Sequence, residues 1–265
     1  MSGNITPGRF VWYDLMTPDP AAAEEFYAKV VGWTTTEWDG GGEEGNPPYK
    51  MWKAGEKPVG GLMALPEEAK AQGAPPHWMG YCTVPDTHAT AKKTEELGGG
   101  ILMAPKTVPG VGTFAVLRDP QGAAFAPFTP EQEAANPGGV PQPGEFSWHE
   151  LATTDYEAAF EFYSGIFGWK QGEDLDMGEG MIYRIYGPGG ESAETYGGMY
   201  TKPAAMPGPP HWLYYITVQD INSGVERVTE NGGTVLMGPH EVPGGDIIVM
   251  CMDPQGAGFA LHAKG

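Results

Sequence analysis

Five polar residues stand inside or at the mouth of otherwise apolar runs. Asp14 interrupts Phe10-Val-Trp-Tyr-Asp-Leu15, Glu150 interrupts Phe146-Ser-Trp-His-Glu-Leu151, His77 and His211 each follow Pro-Pro, and His262 closes the last apolar run. Carboxylates are disfavoured in strands unless they face a wet cleft. Carboxylates and imidazoles are also the groups that hold a divalent metal or move a proton near neutral pH. Trp12 and Trp148 precede the two carboxylates by two residues, so on a strand they share a face with Asp14 and Glu150. Phe10 and Phe146 fall on that face too. Such rings read equally as hydrophobic core or, if a cleft is open, as a flat aromatic wall with one carboxylate, suited to a planar or cationic organic ligand. A histidine after Pro-Pro reads as a surface group or as one bonded to a loop carbonyl, and His262, near the C-terminus, as a frayed surface residue. His149 alternates to the face opposite Glu150 and is expected to point toward helices.

The elements that must position these residues occur twice. Gly8-Arg-Phe-Val-Trp-Tyr-Asp-Leu returns as Gly144-Glu-Phe-Ser-Trp-His-Glu-Leu, an offset of 136. Pro75-Pro-His-Trp78 returns as Pro209-Pro-His-Trp212 and Asp119-Pro-Gln-Gly-Ala123 as Asp253-Pro-Gln-Gly-Ala257, each at an offset of 134. A period this long is a duplicated domain, not a solenoid unit. Domains are expected over residues 1–130 and 144–265, joined by a Pro- and Gly-rich linker over 131–143. Within the first copy, Phe10 to Leu15 reads as a strand and Asp19 with Pro20 as a helix start, and Phe26, Tyr27, Val30 and Val31 form a helical stripe before Gly32. Short strands follow over Thr34 to Trp38, Tyr49 to Ala54 and Gly60 to Ala64. The scheme restarts with a strand over Trp78 to Val84 and a helix from Asp86 that stops at Gly98 to Gly100. The second copy repeats it from Asp155, with Phe162, Tyr163, Ile166 and Phe167 before Gly168. The chain therefore holds four strand-helix-strand-strand-strand modules in an α+β fold.

The 265 residues carry 15 basic and 34 acidic side chains, a formal charge of −19. That balance disfavours nucleic acid as a partner, since phosphates are bound through Lys and Arg clusters. Acidity serves solubility and can also concentrate a cationic small molecule. Cys82 and Cys251, both within apolar runs, imply reduced core thiols and exclude a disulfide framework or a Cys-based zinc cluster. No segment approaches a membrane-spanning apolar run, and the opening residues lack a cleavable leader pattern, so a cytoplasmic protein without a membrane partner is expected. The glycine runs at Gly40 to Gly42 and Gly98 to Gly100 lack the Lys-Ser/Thr of a phosphate loop and read as turns and a helix stop. Neither copy offers a Ser-His-Asp or Cys-His pattern above chance.

The order of these parts, with Phe26-Tyr27 and Phe162-Tyr163 in the first helices, Gly32-Trp33 and Gly168-Trp169 after them, and two Asp-Pro-Gln-Gly turns, resembles the vicinal oxygen chelate superfamily. That superfamily includes glyoxalase I, extradiol dioxygenases and the fosfomycin and bleomycin resistance proteins, and the likeness is nearest to two-domain glyoxalase-like proteins of actinobacteria. The resemblance implies two tandem domains, each with a curved mixed sheet around a cleft. It also implies a divalent metal held by His, Gln or Glu on inward strand positions. Carried over by position, those ligands fall on Trp12 and Trp148, on Met79 and Leu213, and on Ala126 and Ala260, none of which binds a metal. A Glu expected on the last strand of the first module is absent from Gly60 to Ala64 and from Gly197 to Thr201. No metal or other cofactor is therefore expected at the usual positions.

Polar groups return two residues along the same strands, at Asp14, Glu150, His77, His211 and His262. A displaced divalent-metal site of Glu150, His211 and His262 is one reading, with Asp14, His77 and Phe128 as its decayed first-copy counterpart. Three functions stay open. The first is metal-independent binding of a small organic molecule by an aromatic cleft, with Trp12, Asp14, His77, Trp148 and His262 in contact with it. The second is a glyoxalase-like lyase or isomerase or a ring-cleaving dioxygenase, with Glu150 and His211 as the catalytic pair. In it, either a displaced metal acts as Lewis acid with Glu150 as base, or Glu150 takes a proton from a carbon acid while His211 donates one. The third is a non-catalytic interaction protein. The assembly is expected to be a monomer or a homodimer.

Overall fold

The computed structural model describes residues 6–38, 49–132, 139–189 and 194–265. The glycine run Gly40 to Gly42 and residues 133–138 of the 131–143 linker lie outside the described residues. The first module is β1 (Phe10–Thr17), α1 (Pro20–Val31), β2 (Thr34–Glu37), β3 (Tyr49–Ala54) and β4 (Lys57–Ala64), followed by a one-turn helix α2 (Glu67–Ala71). The second is β5 (His77–Thr83), α3 (Thr87–Glu96), β6 (Gly100–Val108), β7 (Gly112–Arg118) and β8 (Ala124–Pro130). The third is β9 (Phe146–Thr153), α4 (Tyr156–Phe167), β10 (Lys170–Asp176), β11 (Ile182–Gly187) and β12 (Gly197–Thr201). The fourth is β13 (His211–Thr217), α5 (Ile221–Glu230), β14 (Thr234–Glu241), β15 (Ile247–Met252) and β16 (Gly258–Ala263).

Local chemistry sets the boundaries. Asp19, Asp86, Asp155 and Asp220 each cap a helix through the side-chain carboxylate, accepting from backbone N–H groups of the first turn. Gly32 and Gly168 end α1 and α4 at φ 76°, the left-handed conformation that glycine adopts without a side-chain clash. The strands form two eight-stranded mixed sheets, one per sequence copy, in the orders β2-β3-β4-β1-β5-β8-β7-β6 and β10-β11-β12-β9-β13-β16-β15-β14. Within each module the first strand runs parallel to the fourth, with Asp14 opposite Gly61 and Glu150 opposite Gly198. Among the described residues no helix is long and apolar enough to cross a membrane.

The compact units are assembled differently from the sheets. One comprises Met1–Val11, Gly80–Pro137 and Trp148–Trp212, and the other Trp12–Met79, Gly138–Ser147 and Leu213–Gly265. Each therefore combines a module from either copy, and the repeated motifs are the parts that join them. In the second unit, Trp78 Nε1 donates to Tyr27 OH at 2.9 Å and Tyr27 OH donates to Asp253 Oδ2 at 3.3 Å. Asp253 Oδ1 accepts the Gln255 and Ala257 N–H groups, both at 2.9 Å, which fixes the Asp-Pro-Gln-Gly turn. The Gln255 side chain then bonds Asp19 N at 2.7 Å and Asp19 O at 2.8 Å, clamping the turn to the start of α1. The first unit holds the same chain: Trp212 donates to Tyr163 at 3.2 Å, Tyr163 to Asp119 at 3.0 Å, and Gln121 bonds Asp155 N and O. Indole N–H groups close both units, Trp33 donating to Gly144 O and Trp169 to Gly8 O at 2.8 Å each. Gly8, at φ 77°, is needed because a Cβ there would overlap the Trp169 indole.

Burial shapes the titration of this core. Desolvation raises Asp119 and Asp253 above the usual carboxylate range, against the lowering effect of the donors around them. His149 does point away from Glu150: it stacks on Phe10 at 3.9 Å and donates through Nδ1 to Tyr196 O. Burial pulls its imidazole down to about 4. Its first-copy counterpart is Tyr13, stacked on Phe146 at 3.7 Å. Cys82 and Cys251 are buried free thiols, and burial pushes Cys251 up to about 12.

Two predictions follow from these cores. Tyr27→Phe or Tyr163→Phe leaves a buried indole N–H and a buried carboxylate each short of a partner, and each substitution is expected to cost about 1–3 kcal/mol in a urea unfolding curve. The neutral His149 imidazole contributes stability that is complete above the unfolded value near 6.5 and lost as pH falls toward 4, about 3 kcal/mol in all. The His149→Tyr variant, built on the first-copy template, should therefore show a flatter dependence of the melting temperature on pH between 6.5 and 4.

Candidate aromatic-carboxylate sites

The carboxylates singled out from the sequence are buried, Asp14 and Glu150 each being 5% exposed. Each is met by a tyrosine that the sequence reading passed over, and in both copies a tryptophan donates to that tyrosine. In the first copy, Trp12 Nε1 donates to Asp14 Oδ1 at 2.9 Å and to Tyr49 OH at 2.7 Å, while Tyr49 OH donates to the same Asp14 oxygen at 2.7 Å. In the second copy, Trp148 Nε1 donates to Tyr183 OH at 2.7 Å and Tyr183 OH to Glu150 Oε2 at 3.0 Å. Tyr200 stacks on Tyr183 with ring centres 6.1 Å apart. Burial, reinforced by the neighbouring carboxylate, raises Tyr49, Tyr183 and Tyr200 well above the ordinary phenol range. All three phenols therefore remain protonated at neutral pH, and Tyr49 and Tyr183 are held as donors toward the carboxylates.

Glycine makes this geometry available. Gly61 lies opposite Asp14 on β1 and Met51 on β3, and Tyr49 stands two residues along β3, facing Met63. In the second copy Gly198 lies opposite Glu150 and Ile185, and Tyr183 faces Tyr200. The tyrosine thus lies diagonally across the glycine and reaches over it to the carboxylate. A Cβ at Gly61 would overlap the Tyr49 hydroxyl and Asp14 Oδ1, and one at Gly198 would overlap the Tyr183 ring. The signal in the sequence is the paired Gly60-Gly61 and Gly197-Gly198, placed where a strand interior has little reason to carry glycine.

The histidines are disposed separately. His77 Nδ1 donates to Pro75 O at 2.7 Å and His211 Nδ1 to Pro209 O at 3.0 Å, each turning back on its own loop. Burial lowers the His77 imidazole. His262 is held between Ser147 and Asp246, both at 2.9 Å, so a Ser-His-Asp row exists that sequence spacing did not reveal. Among the described residues no group of three or more His, Cys, Asp or Glu side chains is placed to hold a metal ion, and Glu150, His211 and His262 do not form such a set. A groove of about 380 Å³ lies between the end of α1 and the start of α5, with Lys29, Val30, Thr217, Val218, Asp220 and Arg227 in its lining and none of Trp12, Asp14, His77, Trp148, Glu150, His211 or His262.

Comparison with known proteins now places the chain. The family model described as Glyoxalase/Bleomycin resistance protein/Dioxygenase superfamily matches residues 9–126 and again residues 145–261. The chain belongs to that superfamily. The Anthracycline biosynthesis protein DauV of Streptomyces sp. (strain C5) is 32% identical over 97% of this chain and 94% of its own length. The Putative glyoxylase CFP32 of Mycobacterium tuberculosis is 40% identical over 46% of this chain and 44% of its own. Among solved structures, the Mn(II)-bound glyoxalase of Novosphingobium aromaticivorans superposes with a TM-score of 0.61 at 20% identity, covering 98% of this chain and 82% of that one. The catechol dioxygenase BphC gives 0.63 at 14% identity, covering 98% and 88%. At these identities the structural likenesses establish the shared fold. The residues present do not fit the metal that the superfamily resemblance implies. Trp12, Met79, Ala126, Trp148, Leu213 and Ala260 offer no donor suited to a divalent cation, and the carboxylates nearby are engaged by indole and phenol hydrogens.

Gly198→Ala is expected to force Tyr183 off Glu150 and to destabilise the protein by about 1–3 kcal/mol. A changed near-ultraviolet circular dichroism spectrum together with a lowered unfolding midpoint would confirm it, and an unaltered spectrum would show that the phenol is not seated over the glycine.

Proposed function

We propose that this superfamily member binds a small planar organic molecule at the aromatic-carboxylate clusters and does so without a metal at the usual ligand positions. The observation that carries the reading is the duplication of the cluster: Trp12, Tyr49 and Asp14 in one copy, and Trp148, Tyr183 and Glu150 in the other. Both stand at or beside the positions to which the resemblance assigns ligands. Aromatic faces supply stacking surface, and the buried carboxylate supplies a fixed negative charge that favours a guest bearing hydrogen-bond donors or positive charge. The relative DauV is an anthracycline biosynthesis protein, and an anthracycline is a planar polycyclic compound of the shape such a wall accepts.

The test is a titration of tryptophan fluorescence with an anthracycline, alongside metal analysis of protein purified without chelators or metal resins. Saturable quenching, weakened roughly tenfold or more by Trp12→Leu or Trp148→Leu, is the expected result, since a lost stacking partner costs on the order of 1–2 kcal/mol. Near-stoichiometric metal lost in Glu150→Ala and His211→Ala, or an absence of quenching, would overturn the proposal.

A further inference from the structure

The row Ser147, His262 and Asp246 lies within the second compact unit. In the tautomer that matches a carboxylate acceptor, His262 Nε2, 2.9 Å from Asp246 Oδ2, carries the imidazole hydrogen. In the neutral ring Nδ1 then presents a lone pair, and the Ser147 hydroxyl, 2.9 Å away, donates to it. Tyr215 O, a second acceptor for that hydroxyl, is at 3.4 Å, too long to compete. A serine hydroxyl donating to an imidazole whose far nitrogen is anchored on a carboxylate is the arrangement that activates an alcohol as a nucleophile. Here the serine faces Nδ1 and the aspartate Nε2. Either nitrogen can act as base once the other is fixed. The His262 side chain is 18% exposed and that of Asp246 37%, so the row is open to small molecules in solution.

The first copy provides an internal comparison. Thr83 faces Phe128 as Thr217 faces His262, and Phe114 faces Phe128 as Ile248 faces His262. The repeat therefore places Phe128 at the position of His262, Gly112 at that of Asp246 and Val11 at that of Ser147. A Cβ on Gly112 would lie 2.6 Å from the Phe128 ring, so the aromatic side chain fills the space next to a residue reduced to glycine. One copy of the fold is thus completed with hydrocarbon and the other with three polar groups in hydrogen-bonded order. The fold does not require the row.

We propose that Ser147 is a nucleophile activated by His262 and Asp246, and that this second site accepts a carboxylic ester or a comparably activated acyl compound. Ser147 Oγ bonds to the carbonyl carbon as its proton passes to His262 Nδ1, and Asp246 balances the imidazolium so formed. Collapse of the tetrahedral adduct breaks the bond to the leaving oxygen, which departs as an alcohol carrying the proton from Nδ1. Water then attacks the acyl-serine with the same base, releasing the carboxylic acid and restoring the serine. No oxidant, reductant or metal enters these steps.

The test is covalent labelling of the full chain by a fluorophosphonate, read by intact mass and peptide mapping, together with hydrolysis of p-nitrophenyl acetate. The expected result is one adduct on Ser147 with loss of fluoride, absent in Ser147→Ala. Labelling should be slowed roughly tenfold or more in His262→Gln and in Asp246→Asn, as loss of a general base requires. His262→Phe, which copies the residue of the first half, serves as a second variant if His262→Gln does not fold, with circular dichroism verifying the fold of each. Absence of a Ser147 adduct, or an equal labelling rate in a folded His262 variant, would overturn the proposal and leave the row a structural polar contact. Neither result bears on ligand binding at the aromatic-carboxylate clusters, which is read by quenching.

Discussion

The buried carboxylate of each Asp-Pro-Gln-Gly turn is the group on which the architecture depends. Asp119 and Asp253 hold their own turns through one oxygen and receive a tyrosine hydroxyl from the other copy through the second. The tyrosine in turn accepts an indole N–H, so two residue types with large apolar bodies and one polar end, and the carboxylate they lead to, are each satisfied within a dry core. Aromatic area supplies the favourable burial, and the hydrogen-bonded line through it specifies which module packs against which. Apolar contact alone is less directional and would not discriminate as sharply between the module of the same copy and that of the other.

Freed from that task, the residues at the superfamily's usual ligand positions have changed character. A metal site needs convergent donors with open coordination positions. Here a phenol hydrogen goes to a carboxylate instead, with an indole hydrogen on the phenol oxygen, and a glycine on the adjoining strand clears the path for the phenol. Such a cluster fills those positions with aromatic rings and a hydrogen-bonded carboxylate. Because it appears in both copies with Asp in one and Glu in the other, the arrangement tolerates a change in carboxylate length while keeping the phenol donor.

Duplication made much of the fold legible. The Asp caps, the Gly stops and the alternation of apolar residues fixed the four modules, and β3 runs over Tyr49–Ala54 as its pattern requires. The helix α2 went unseen because five residues with no buried face carry no periodic signal. Trp12, Asp14, Trp148 and Glu150 could be found because a carboxylate inside an apolar strand demands an explanation. Tyr49 and Tyr183 could not, since a tyrosine in a strand demands none, and only the paired glycines on β4 and β12 betray what it reaches. The histidine row was hidden for another reason. Its serine and histidine are separated by 115 positions and have no counterparts in the first copy, so comparing the halves, which exposes what they share, passes over what one of them acquired.

The interleaving of modules also bears on how the chain is made. Tyr27 and Asp253 are 226 positions apart, and Tyr163 and Asp119 are 44 apart. During synthesis the last residue of the unit built around Tyr163, Trp212, is made before the ribosome reaches α5, whereas the module around Tyr27 waits, its aromatic surface uncovered, for the final strands to emerge. Contacts this distant in sequence are slow to form, and a partly emerged chain with an uncovered apolar face is open to aggregation. Translation speed and chaperone access over the second half of the message thus become part of what secures the native pairing.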